Sequence, residues 1–258
     1  MRILVCVKQV PDTESVIEID AAGLWIQETE KIVYRMNRFD EYALEEAVRI
    51  RESASGVTID ALSVGPERVR ATVTKALEKG ADNGIHIACD GNGYQSPVRI
   101  AAAIATYARP LAYDLIFTGI MAEDDMQCQV GPMLAELLGL PSAPSVISET
   151  LEPTRDIIHV ECEMEGGIRE QLSLSLPCLL SIQSGINRPR YPALSNVLRA
   201  KKQELITVDA KTLALPEGRE VMRGVFYPEK PSRGIILEGT SEEKAEKLLR
   251  ILYEKSFL

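Results

Sequence analysis

The run Glu123-Asp124-Asp125, with Cys128-Gln129-Val130-Gly131 just beyond it, offers this 258-residue chain its clearest opening for chemistry. Three adjacent carboxylates can gather a divalent cation or pass a proton. Acids just ahead of a helix also have a simpler use, capping its free amides and complementing its macrodipole. That simpler use is the one expected here. A helix opening near Gln129 leaves backbone N–H groups unpaired, and Gly131 admits another group close to the backbone. The stretch is therefore also a candidate phosphate site.

Other chemistry finds little support. His86 and His159 lie in separate strand-like stretches with no nearby nucleophile, so each reads as a strand residue. Cys6, Cys89, Cys128, Cys162 and Cys178 form no C-x-x-C pair and no zinc spacing, which argues against a secreted disulfide framework. Neither G-x-G-x-x-G, the P-loop, G-x-S-x-G nor H-E-x-x-H occurs.

Repeated strand–helix units must position these residues. Ile3–Val7, Thr58–Val64, Gly84–Cys89 and Asp114–Thr118 read as buried strands. Helices follow from Asn37, from Gly65-Pro66, from Ser96-Pro97 and from about Val130, with Asn37 and Ser96 as N-cap candidates. Such units imply right-handed crossovers, a parallel sheet with helices on both faces, and a ligand site beyond the carboxyl ends of the strands. The loops 6–13, 63–66 and 118–131 are thus the ones to watch. Residues 16–34 alternate around Ala22-Gly23 as a hairpin would, and 157–165 with 168–183 read as paired antiparallel strands. Residues 209–239 read as an extended arm, and Thr240-Ser241-Glu242-Glu243 as the capping box of a last helix.

Composition bounds the function. Hydrophobic residues make up 45% of the chain, enough for a sizeable core, while a net charge of -9 argues against a nucleic-acid binder. That charge still permits a phosphate held by backbone amides. No stretch reaches the length of a membrane span, and no signal peptide precedes the first strand, so a bacterial or archaeal cytoplasmic protein is expected.

The residues also carry a resemblance. Val5-Cys6-Val7-Lys8-Gln9-Val10-Pro11-Asp12, Met36-Asn37 with Asp40–Ala47, Ser63-Val64-Gly65-Pro66 and Gly80-Ala81-Asp82 are similar to the β subunit of electron transfer flavoproteins. So is the order Glu165-Gly166-Gly167, Leu176-Pro177, Asn187-Arg188-Pro189-Arg190-Tyr191, Ala200-Lys201-Lys202. The resemblance covers nearly the whole chain. With the strand–helix pattern it implies a doubly wound, mostly parallel α/β sheet of flavodoxin-like layering, with antiparallel edge strands and an extended C-terminal arm. Residues 1–185 would form the nucleotide-binding domain, and 186–258 a recognition loop, arm and helix docking on an α subunit.

That α subunit would hold the redox-active FAD, while this chain binds AMP or, in electron-bifurcating members, a second FAD. The pocket implied is Cys6, Asn37, Arg38, Phe39, Asp40, Val64, Gly119, Ile120, Met121, Ala122, Asp124, Cys128, Gln129, Val130 and Gly131. Gln129, Val130 and nearby amides would hold phosphate, with the loops at Cys6 and Val64 flanking the adenosine. Leu194 would anchor partner dehydrogenases, with Arg190, Tyr191, Lys201 and Lys202 around it. The implied role is an electron carrier without catalytic residues, moving electrons from flavin dehydrogenases such as acyl-CoA dehydrogenases to a quinone reductase or similar acceptor. Two alternatives come from other classes: a nucleotide-hydrolysing enzyme using Asp124 or Asp125 with a metal, and an AMP-sensing module.

Departures from the family cluster in one loop. Ile120 and Met121 replace a basic residue and Gln, and Cys128-Gln129-Val130-Gly131 replaces Asn-Gln-Thr-Gly. Asp124-Asp125-Met126-Gln127-Cys128 replaces the Asp-Gly-Asp-Thr-Ala of bifurcating members, and Thr13 stands where some relatives have a tyrosine near the flavin. The charge of Asp125 opposes a pyrophosphate unless the side chain points away or a cation intervenes.

Overall fold

Apolar runs from distant parts of the sequence line up as one nine-stranded sheet in the computed structural model, which describes residues 1–91, 93–218, 220–228 and 234–257. The elements are β1 (Arg2–Cys6), β2 (Gln9–Pro11), β3 (Tyr34–Met36), α1 (Arg38–Ser53), β4 (Thr58–Gly65), α2 (Arg70–Lys79), β5 (Asn83–Ala88), α3 (Pro97–Ala108), β6 (Leu115–Gly119) and α4 (Val130–Leu138). There follow β7 (Ser142–Leu151), β8 (Ile157–Glu163), β9 (Arg169–Ser175), β10 (Cys178–Ile182), α5 (Leu194–Ala200), β11 (Ile206–Asp209) and α6 (Ser241–Glu254). The strand order is β11-β5-β4-β1-β6-β10-β7-β8-β9, parallel from β11 to β7 and antiparallel through β8 and β9. The expected doubly wound, mostly parallel architecture with an antiparallel edge is what forms.

Strand alternation makes two cores out of one apolar run. Ile3, Val5 and Val7 face the core of α1 and α2, while Leu4 and Cys6 face that of α3 and α4. Leu115 and Phe117 against Ile116, and Leu180 against Leu179, repeat the division. A sheet buried on both faces needs such unbroken apolar strands. Because α1 covers one face and α4 the other, the loops leaving β1 and β6 diverge between these neighbouring strands. That is the topological switch point, and it opens a crevice.

Three expectations change. Residues 16–34 turn back around Ala22-Gly23 as expected but only briefly, with one antiparallel bridge, Ile19 to Ile26, flanked by Asp20 N–H to Trp25 O and Gln27 N–H to Glu18 O; the longer ladder is β2 with β3. Val16, Leu24 and Val33 are exposed, and of the apolar residues in the stretch only Ile32 is buried, so little apolar burial is left to extend the hairpin. Residues 168–183 are two strands: β9 pairs with β8, and beyond Pro177 β10 enters the parallel sheet between β6 and β7. β7 itself was not expected, because Pro144 and a positive φ at Ser145 interrupt its pattern; register shifts on both flanks absorb them.

The chain divides into two compact units, Met1–Val225 and Phe226–Leu258, so the boundary expected at 185 falls inside the first. Within that unit β11 extends the sheet beside β5, and Leu213 and Leu215 pack on the α3 core, so this part of the expected arm belongs to the sheet domain. In the second unit α6 starts at the expected capping box: Thr240 Oγ1 accepts from Glu243 N–H, and Glu243 Oε2 accepts from Thr240 N–H. No helix of the described residues is long and apolar enough to cross a membrane.

Candidate functional site

A crevice lies at the carboxyl ends of β1, β4 and β6, where the strand-end rule places a ligand. Cys6, Asn37, Asp40, Val64, Gly119, Ile120, Met121, Ala122, Asp124, Cys128, Gln129, Val130 and Gly131 all line it. Arg38 and Phe39 do not: Arg38 is exposed, and Phe39 lies beside Gly119 behind the wall.

The first turn of α1 ties the crevice loops together. Asp40 accepts from Lys8 N–H (2.6 Å), just past β1, and from Gly119 N–H (3.0 Å), at the end of β6. One carboxylate thereby spans the switch point. Burial pushes Asp40 up to about 7, opposed by those two amides and by the Lys8 charge. Gly119 is required there, since a Cβ would collide with Asp40 and the Phe39 Cβ. Asn37 stands at the N-cap position but caps nothing. Its Nδ2 donates to Met121 O (2.8 Å) and its Oδ1 accepts from Glu123 N–H (3.1 Å), so it holds the β6–α4 loop. Ser96 likewise makes no side-chain cap, leaving Pro97 at the first position to start α3.

The acidic run does not cap α4. Glu123 accepts from Arg35 (3.1 Å) and from Arg38 N–H (3.3 Å), at the start of α1 instead. Lys8 Nζ bridges Asp124 Oδ1 (2.7 Å) and Asp125 Oδ2 (2.8 Å). Burial works against the Lys8 charge, but the two aspartates prevail and raise its affinity for the proton. Lys8 is the cation that neutralises Asp125, and no local motif announced it. Among the described residues no group of His, Cys, Asp and Glu could hold a metal ion.

The far end of the loop suits an anion. Met126 and Cys128 have positive φ (52° and 55°), and Gln129 then turns right-handed at φ -102°, ψ -32° as α4 begins. Such a left-to-right succession is how neighbouring N–H groups come to share one concave point. Gly131 brings this helix start onto the strand ends: a Cβ there would lie 2.5 Å from Ser181 Oγ and 2.8 Å from Thr118 Oγ1. Leu62, Val64, Ile100 and Ile104 supply an apolar wall. Burial pushes the Cys6 thiol up, so it lines the wall as an uncharged group.

Sequence reasoning missed the opposite rim. Trp25, the only tryptophan, and Tyr94 line the crevice with ring centroids 5.9 Å apart, and Tyr94 OH meets the Gln127 amide. Arg68 also lines it, stacked 4.1 Å over Tyr34 and paired with Glu28. Trp25 belongs to the 16–34 stretch, next to its one antiparallel bridge. Its place is set by tertiary folding.

Both histidines serve strands: His86 Nε2 meets Gly65 O, and His159 lies between Ser173 and Glu152. The five cysteines are unpaired. In the 187–202 segment Tyr191 and Leu194 are exposed, 95% and 74%, as are Lys201 and Lys202, while the Arg190 guanidinium grips Glu45 and Glu52 of α1.

Residues 24–213 match the family model described as the electron transfer flavoprotein domain. Among curated relatives, the "Electron transfer flavoprotein subunit beta" of Mus musculus is 36% identical over 97% of this chain and 98% of its own length. Proteins of the same name from Bacillus subtilis and Methylophilus methylotrophus are 32% and 30% identical, each over 98% of this chain and 97% and 98% of their own lengths.

Proposed function

The chain belongs to the electron transfer flavoprotein β-subunit family, and from that premise we propose that it holds AMP in the switch-point crevice while a partner α subunit holds FAD. The observation that supports the AMP reading is the start of α4, where left-handed Cys128 precedes right-handed Gln129, a succession suited to an anion, beside the apolar wall of the crevice. Phosphate sits on the Gln129 and Val130 amides, and the loops at Cys6 and Val64 flank the adenosine. Lys8 takes up the charges of Asp124 and Asp125 that otherwise repel the phosphate.

The heterodimer carries electrons in the cytoplasm from flavin dehydrogenases, such as acyl-CoA dehydrogenases, to a quinone reductase or similar acceptor. The α-subunit FAD supplies the redox chemistry. This chain binds the nucleotide structurally and presents Leu194, exposed beside Tyr191, as the apolar anchor for donors. Residues 226–258, with the amphipathic α6, grip the α subunit.

The test is to co-purify the chain with its α subunit, release the ligands by denaturation and count them. One AMP and one FAD per heterodimer is the expected result. FAD without AMP overturns the nucleotide assignment, and two FADs move the chain to the bifurcating group.

A further inference from the structure

The segment 187–193 has no regular secondary structure, and Pro189 and Pro192 can donate no backbone hydrogen bond. Its conformation is set by side chains reaching across the sequence, concentrated on Arg190. The Arg190 guanidinium gives Nε and Nη2 to Glu45 (2.9 and 2.8 Å) and Nη1 and Nη2 to Glu52. Its backbone N–H donates to Glu45 Oε2 (3.0 Å), and its carbonyl accepts from Lys79 Nζ of α2 (3.2 Å). Glu45 is buried, so its charge needs this partner. Downstream, Arg199 fixes α5 by donating to Leu77 O and Ala81 O at the end of α2. Tyr191 and Leu194 therefore project from a strip pinned on both sides.

We propose that Arg190 is a positioning residue: its fork onto Glu45 and Glu52 holds the Tyr191–Leu194 strip in the conformation a donor dehydrogenase binds, and Arg190 itself makes no contact with that donor. The proposal rests on the reading of Leu194 as the donor's anchor. A guanidinium whose donors are spent on two carboxylates has little left to offer an acidic partner surface. A preset strip spares the donor the cost of ordering it, so losing the fork weakens association and leaves the bound complex equally fast.

The experiment uses the complete heterodimer, reduced by an acyl-CoA dehydrogenase charged with its acyl-CoA substrate, and hydrogen exchange of peptides spanning 187–200. Arg190→Ala, Arg190→Lys and Glu45→Gln are each expected to raise KM for the heterodimer about five- to tenfold with kcat unchanged. Lys keeps the charge but lacks the fork, so it should behave as Ala does. The double variant Arg190→Ala/Glu45→Gln should be no worse than the worse single, because both remove one interaction. Exchange across the strip should quicken in every variant.

Two results overturn the proposal: a raised KM in Arg190→Ala with wild-type KM in Glu45→Gln, which makes Arg190 a direct contact, or exchange unchanged from wild type. Leu194→Ala isolates the premise. A wild-type KM in that variant, or a wild-type heterodimer that the donor fails to reduce, sinks the recognition reading; quickened exchange in Arg190→Ala would then show that the staple exists without that use.

Discussion

Helix α1 moors two irregular regions of this molecule, and it uses a different chemistry for each. At its first turn the buried Asp40 and Asn37 hold the crevice loops through backbone amides and a carbonyl. Further along, Glu45, Glu46 and Glu52 hold the 187–190 segment through Arg190 and Asn187 near solvent. Amides cannot leave, so the first mooring defines a cavity with little freedom, even though burial pushes Asp40, the carboxylate that gathers them, up to about 7. Here Glu45 and Glu46 are buried but Arg190 and Glu52 reach solvent, where ion pairs are screened and exchange partners with water, so the second fixes a strip that other charges can still influence. A nucleotide pocket benefits from the former. A surface that must engage and release partners benefits from the latter.

Breaking the amide mooring should have the largest effect. In Asp40→Asn the side-chain NH2 must face either Lys8 N–H or Gly119 N–H, leaving a buried donor without an acceptor. A loss of about 2 kcal/mol in chemical denaturation is expected, together with weakened AMP retention. Wild-type stability in this variant would show that the loops hold their places without the carboxylate.

How much of this was legible before folding depends on the distance between partners. The runs Ile3–Val7 and Asp114–Thr118 announce buried strands by themselves, and the strand-end rule then selects 6–13 and 118–131 as crevice loops. Most of the pocket residues implied by resemblance converge there. β7 was hidden because Pro144 and Ser145 break its pattern, and a bulge, which leaves no local signature, accommodates them. Lys8 was equally hidden: its partners are 116 and 117 residues away. The Arg190–Glu45 pairing was hidden as well, because Glu45 lies 145 residues before Arg190. Local patterns report which backbone forms. They do not report which charges that backbone brings together.

Lys8→Met probes the ion pairs that Lys8 makes with Asp124 and Asp125 inside the largely amide-held region. It leaves Asp124 and Asp125 side by side without their cation, at the edge of the crevice. Lys8 is partly exposed, so the expected stability loss is only about 1 kcal/mol. AMP binding should suffer more, about tenfold, because two uncompensated carboxylates then repel the phosphate. Equilibrium dialysis of AMP against the variant heterodimer measures this. Unchanged affinity would mean that the phosphate lies beyond the reach of these charges.

The smallest expected effect tests whether the second mooring responds to the titration of Glu149 independently of the first. Glu149 on β7 faces Glu46 on α1, the carboxylate that also accepts from Asn187 Nδ2 (2.7 Å) and from Arg49 (3.1 Å). Burial, and then the Glu46 charge and hydrogen bond, push Glu149 up to about 7, with Arg49 pulling the other way. The folded chain thus keeps a proton that the unfolded chain releases near the ordinary value of 4.5. Stability from this group is complete below that value and is lost as pH rises toward 7. Glu149→Gln stays neutral throughout, so its urea midpoint relative to wild type should climb across that window and level off above it. The gain should stay within about 1 kcal/mol, because the site is only partly enclosed. Hydrogen exchange in peptides covering 186–190 should follow the same curve in the wild type and lose it in the variant. Peptides covering 118–131 should show no difference between the two proteins at any pH. A matching change in those crevice peptides would mean that α1 couples its two moorings, and the division of labour drawn between them would fail.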